Sequence, residues 1–115
     1  MAELKIINPV NCPLNEGTAV SLTAGATDGV ALEVADAYIA QNTGTGEATV
    51  TVVAGDNPRG AAENLEIKIA ASAIMVISLD SGYWMNAKDI DSVSRRGCIT
   101  VKSPATVKFA PVYIR

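Results

Sequence analysis

The sequence predicts an all-β domain: a single antiparallel β-sandwich, Ig-like or jelly-roll-like, or a small barrel, with about seven to nine short strands. Three observations carry this. Leu65, Ile67 and Ile69 alternate with Glu66 and Lys68, a period of two that sets aliphatics on one strand face and charges on the other. Short apolar segments recur at roughly ten-residue spacing between turn residues, as in sandwiches and barrels. The apolar residues make up 49% of the chain, with only 4% aromatic. They are mostly Ala, Val and Ile, and small and β-branched side chains suit closely packed sheets.

Taken in order, residues 4–10 read as a first strand. Pro9 and Pro13 cannot donate to a ladder, so residues 1–13 are expected to form an edge strand or an N-terminal arm. Residues 17–23 make a second segment. Asp28-Gly29 is a hairpin-type turn pair. The run 30–41 follows, punctuated at Asp36. Asn42-Thr43-Gly44-Thr45-Gly46 suits a tight turn. Residues 48–53, rich in Val and Thr, predict a strand. Gly55-Asp56-Asn57-Pro58-Arg59-Gly60 is the clearest loop. The alanines of 61–72 also suit a helix with Ala62, Leu65 and Ile69 on one face. The Leu-Glu-Ile-Lys-Ile alternation favours a strand there.

Residues 73–79 predict another strand. Ser81-Gly82 reads as a turn before Tyr83-Trp84-Met85, read as extended. Residues 86–96 form a polar loop with a helical turn over 87–92, ended by Gly97. The last strands are expected at 98–102 and 106–114, divided by a Ser103-Pro104 turn. Val107 and Phe109 share a face, whereas Val112 and Ile114 lie on the other. A bulge near Pro111 would restore the phase. No repeat, heptad or linker divides the chain, so residues 1–115 read as one domain.

The 115 residues suffice for an ordinary core, since a chain of this size buries roughly 65% of its unfolded surface. A charged fraction of 18% excludes a disordered chain. The net charge is −3 and the nine Lys and Arg are scattered, with only Arg95-Arg96 adjacent. A nucleic-acid partner, which asks for a concentrated basic face, is therefore not expected. Histidine is absent, which removes the commonest general base and metal ligand. Cys12 and Cys98 form no CxxC unit and read as two thiols rather than a bridge. No metal or cofactor is expected. Met1-Ala2-Glu3-Leu4-Lys5 carries no export pattern. The longest apolar stretch, 70–79, is broken by Ser72 and Ser78, so no membrane span is expected. The chain reads as made in the cytoplasm.

No enzyme is expected. Serine and threonine are plentiful, but no histidine is present to activate them, and no Ser-x-x-Lys pattern stands in a suitable context. Gly44-x-Gly46 lacks the third glycine of a dinucleotide site. Asp89-x-Asp91 lacks the glycine and distal glutamate of a calcium loop. Asp56 and Asn57 are explained by a loop before proline. The expected handles are for binding. On a strand, Tyr83 and Trp84 face opposite ways, so one anchors the core while the other meets a partner or a sugar ring; alternatively, Trp84 plugs the core. Arg59 and Arg95-Arg96 are loop residues suited to rim contacts. Leu4, Ile6 and Pro9 lie on a segment that can add to a neighbour's sheet edge, or simply form the domain's first strand.

The run Tyr38-Ile39-Ala40-Gln41-Asn42-Thr43 precedes Ala48-Thr49-Val50-Thr51-Val52-Val53-Ala54-Gly55-Asp56-Asn57-Pro58. Later come Leu65-Glu66-Ile67-Lys68-Ile69, Ser81-Gly82-Tyr83-Trp84, Gly97-Cys98-Ile99-Thr100-Val101 and Val107-Lys108-Phe109-Ala110-Pro111-Val112-Tyr113-Ile114. Over residues 30–115, this order of strands and turns resembles small head-associated proteins of tailed phages, of the capsid decoration or cement type. The resemblance implies a β-sandwich without cofactor that self-associates, a trimer among the options, and docks on the major capsid protein at the virion surface. It supplies no site residues position by position. Two other readings stand beside it: another virion component such as a head-tail protein, tail protein or head fibre, and a carbohydrate-binding or adhesive sandwich module.

Overall fold

The structure is a computed structural model that describes residues 5–54, 63–79, 84 and 98–114. Ten strands follow one another: β1 (Lys5–Ile7), β2 (Val10–Cys12), β3 (Thr23–Ala24), β4 (Val30–Glu33), β5 (Ala37–Asn42), β6 (Ala48–Val52), β7 (Leu65–Ile69), β8 (Ile74–Ile77), β9 (Cys98–Lys102) and β10 (Val107–Ile114). They form two packed sheets. Sheet A has the order β1-β4-β9-β6-β7, and sheet B the order β2-β10-β5-β8, with β3 also paired to β10. The sandwich expectation holds, and the barrel alternative does not, because neither sheet closes on itself. Among the described residues the strands number ten rather than seven to nine. The sheets are mixed rather than purely antiparallel, since β1 pairs parallel with β4, and β2 parallel with β10. The cause is the Asn8-Pro9 break, where the chain leaves the edge of sheet A and joins sheet B without reversing as a hairpin.

The alternation at Leu65–Ile69 forms the strand it predicts, β7, and the helix alternative over 61–72 is excluded there. Residues 17–23 yield far less than expected, with only Thr23–Ala24 extended into a ladder. The bulge near Pro111 is absent. From Val107↔Asn42 to Val112↔Ala37, β10 pairs with β5 in unbroken register. No bulge is required because β10 is buried at both parities over most of its length: Val107, Phe109, Ala110, Pro111 and Val112 are all buried, and Ile114 at its end is exposed. Pro111 is tolerated in this central strand for a local reason. Gly25 N–H donates to Val107 O at 2.8 Å, so the odd-numbered residues of β10 aim their backbone at the β2–β3 edge. β3 pairs with residues 108–109 and β2 with 112–114. The proline nitrogen faces the gap between them, where no bond is lost.

Nearly every connection changes sheet. Asp28-Gly29 closes a turn in which Gly29 N–H donates to Ala26 O at 3.0 Å, with Gly29 at a φ of 111°. It joins β3 in sheet B to β4 in sheet A, so it is not a hairpin. The Asn42–Gly46 turn likewise passes from β5 to β6 across the sandwich. Among the described strands, β6 and β7 are the only consecutive pair bonded to each other.

The core lies between the sheets. Ile7, Val30, Leu32, Val50, Val52, Ile69, Ile99 and Val101 enter it from sheet A, and Tyr38, Ala40, Ile77, Val107 and Phe109 from sheet B. One polar side chain is wholly buried among them. Asn42 Nδ2 donates to Gly46 O (2.8 Å), Ile69 O (3.0 Å) and Ala70 O (3.3 Å), and Oδ1 accepts from Gly44 N–H (3.0 Å). Its amide satisfies the sharp turn leaving β5 and also ties that turn to the end of β7 in the opposite sheet. A buried amide is tolerated when its donors and acceptor are bonded in this way.

Candidate functional site

Strand alternation assigns the two faces of sheet B. Tyr38, Ala40 and Asn42 point inward with their β10 partners Pro111, Phe109 and Val107, and with Met75 and Ile77 of β8. The opposite parity gives the outer face: Ala37, Ile39 and Gln41 of β5, Lys108, Ala110, Val112 and Ile114 of β10, Ile74 and Val76 of β8. Apart from the Gln41–Lys108 pair at one end, the outer face is apolar as well. The outer face of sheet A differs, with Thr49 and Thr51 beside Glu66, Lys68 and Lys102.

The chain after β2 folds over part of the apolar face. It turns at Leu14-Asn15, where Asn15 takes a φ of 65°; asparagine is among the side chains that adopt this left-handed conformation most readily. Residues 13–20 then form a wall. Cys12, Pro13, Leu14, Asn15, Glu16, Thr18 and Val20 face Ala37, Ile39, Val76, Val112 and Ile114 across a groove of about 470 Å³. Its floor is aliphatic and its rim holds Asn15, Glu16 and Thr18. Leu14 (65% exposed), Ile74 (64%), Val76 (70%) and Ile114 (55%) all lie in or beside it. Four of the six large exposed aliphatics among the described residues thus gather on one face. An apolar patch of this kind, rimmed by polar groups, is the type of surface able to take a partner's apolar side chains.

The end of the groove is fixed by polar contacts around the β4–β5 crossing. Tyr113 Oη donates to Val34 O (2.7 Å), Tyr38 Oη accepts from Ala35 N–H (3.0 Å), and Asp36 Oδ2 accepts from Ile114 N–H (2.8 Å). The last bond holds Ile114 in sheet B, so the exposed side chain is carried on an anchored backbone. Burial pushes the Tyr38 phenol above its ordinary range, although the Ala35 bond acts in the opposite sense.

Of the residues the sequence singled out, Leu4, Arg59 and Tyr83 lie outside the described residues, as do Arg95-Arg96, Asp56, Asn57, Asp89, Asp91 and the Ser81-Gly82 turn. Ile6 sits on β1 with its side chain 39% exposed, paired with Ala31. Pro9 is half-buried at the passage from β1 to β2. Lys5–Cys12 therefore runs along the edges of the chain's own two sheets. Trp84 has helical rather than extended backbone, and its half-buried ring packs against the core. No site unites Ile6, Pro9 and Trp84. The groove residues Ile39, Val76 and Ile114 went unnoticed in the sequence. The usable signal was Ile74-Met75-Val76-Ile77, a strand with no polar position on either face.

Cys12 and Cys98 are both thiols. Among the described residues no group of three or more His, Cys, Asp or Glu is placed to hold a metal ion, and no helix is long and apolar enough to cross a membrane. No family model, curated protein or solved structure matches the chain.

Proposed function

We propose that this chain is a structural protein of a tailed-phage virion, in particular a capsid decoration protein that docks on the major capsid shell and stabilises it. One observation of the structure supports this reading: four of the six large exposed aliphatics among the described residues gather on or beside the outer face of sheet B. An apolar patch with a polar rim is the usual form of a protein-docking surface. The resemblance in strand and turn order names the partner. The chain is made in the host cytoplasm and its place of work is the capsid surface.

The test uses capsid shells that lack the protein. Adding the purified chain is expected to give co-sedimentation and to raise the shell's melting temperature. Val76→Glu and Ile114→Glu place a carboxylate on the docking face and are expected to weaken binding by roughly tenfold or more, since fully buried anchors dominate interface energy. Thr49→Glu, on the outer face of sheet A, leaves shell binding unchanged. A native chain that neither binds nor stabilises shells overturns the proposal.

A further inference from the structure

We propose that β7 pairs antiparallel with β7 of a second copy of this chain, joining two A sheets into one ten-stranded sheet. This inference is independent of the capsid reading, because it uses the opposite sheet and needs no other protein.

Among the described residues, β7 is the last strand of sheet A. Its backbone orientation follows from the ladder beside it. Val53 N–H donates to Thr100 O at 2.9 Å, so residues 49, 51 and 53 aim at β9, and residues 48, 50 and 52 aim at β7. The partners of that second set, Ile69, Ile67 and Leu65, are bonded toward β6. The N–H and C=O groups of Glu66 and Lys68 therefore point outward, along an edge that no other described strand occupies.

These two residues also carry the only charges of the strand. About a twofold axis at Ile67, the sequence Leu-Glu-Ile-Lys-Ile reads as its own complement. Glu66 falls opposite Lys68 of the second copy, Lys68 opposite its Glu66, and Ile67 opposite Ile67. The outward backbone groups then meet as two reciprocally bonded pairs, with the Ile67 pair between them in the close, non-bonded position of an antiparallel ladder. On the outer face, two opposite-charge pairs lie side by side next to Thr49 and Thr51. On the inner face, Leu65, 37% exposed, gains Ile69 of the second copy as a neighbour, and the half-buried Ile67 gains its own equivalent.

Charges on an edge strand ordinarily deter a second strand. Their order here reverses that effect, because opposite charges directly across a ladder stabilise it and like charges destabilise it. Sheet B offers no equivalent: β8 exposes Ile74 and Val76, with no charge to fix a register.

The experiment is sedimentation or light scattering of the purified chain, with folding checked by circular dichroism. The native chain is expected to reach twice its 11.9 kDa mass, and to dissociate more readily as salt screens the pairs. Glu66→Lys and Lys68→Glu each set like charges across both positions and are expected to weaken association by roughly tenfold. Two results follow only from this register. The double swap Glu66→Lys/Lys68→Glu restores native association. An equimolar mixture of the two single variants does the same as a heterodimer, since one chain then carries two lysines and the other two glutamates. Where a single variant fails to fold, the double swap, which has the native composition, carries the test. A chain that is monomeric at every concentration overturns the inference, as does an oligomer that the single variants leave intact or that the swap and the mixture fail to restore.

Discussion

Asn42 is the residue whose loss is expected to be felt most. Asn42→Leu keeps the branched outline and heavy-atom count but strips partners from the carbonyls of Gly46, Ile69 and Ala70 and from the N–H of Gly44. Buried groups left unbonded cost about 1–3 kcal/mol each when no water reaches them. An overall loss of about 3 kcal/mol is expected in denaturant titration, near the upper end for single substitutions. The cysteines give a second expectation. Burial, reinforced by the carboxylate of Glu33 across the ladder, pushes the Cys98 thiol up. Half-exposed Cys12 should therefore alkylate first in the native protein, with Cys98 following only under denaturing conditions. Cys98 and Tyr38 are both raised in the folded chain, so the unfolded chain loses these protons first as pH rises. Their contribution is fully present below the ordinary thiol and phenol values and is lost as pH rises through the folded ones. Thermal melts should be flat around neutrality and fall above about pH 9.

At the scale of elements, the close approach of β3's end to β10 sets a sharp test. A methyl group at Gly25 would stand 2.7 Å from Cε2 of Phe109 and collide with Ser103 Oγ. Phe109 is fixed in the core, and Ser103 is held by its bonds to Ala26 and Pro104. Gly25→Ala is expected to cost about 1–3 kcal/mol, the usual range for overpacking. Gly46→Ala, with nothing within 4 Å of the added atom, should stay within about 0.5 kcal/mol of native in the same denaturant titration. The individual strands were largely legible in the sequence, Cys98–Lys102 to the residue and Leu65–Ile69 from its alternation. Their partners were not. Asp28-Gly29 and Asn42–Gly46 carry the chemistry of a reversal, but a reversal does not state which sheet receives the next strand. That choice is made by side chains far apart in sequence, such as Asn42 reaching Ile69. The bulge expected at Pro111 failed for a similar reason: phase matters only where the two faces of a strand differ in character, and β10 is buried at both parities over most of its length.

For the whole molecule, the same property hid the candidate docking face. Period-two reading finds a core by contrast between parities, and Ala37–Asn42, Ile74–Ile77 and Val107–Ile114 offer little contrast. Only the assembled sheet shows which apolar parity remains exposed. The interleaving of strands has a further consequence. Cleaving the chain between Ala54 and Glu63 would give one piece carrying β1 to β6 and another carrying β7 to β10. Of the eight ladders among the described residues, only β1–β4 lies within one piece, and the other seven join the two. Neither piece holds two neighbouring strands of sheet B. Expressed separately, each is expected to lack a cooperative melt, and mixing them should regenerate one, as followed by circular dichroism. The molecule is thus a ready-made pair of complementing fragments, each serving as the other's folding template.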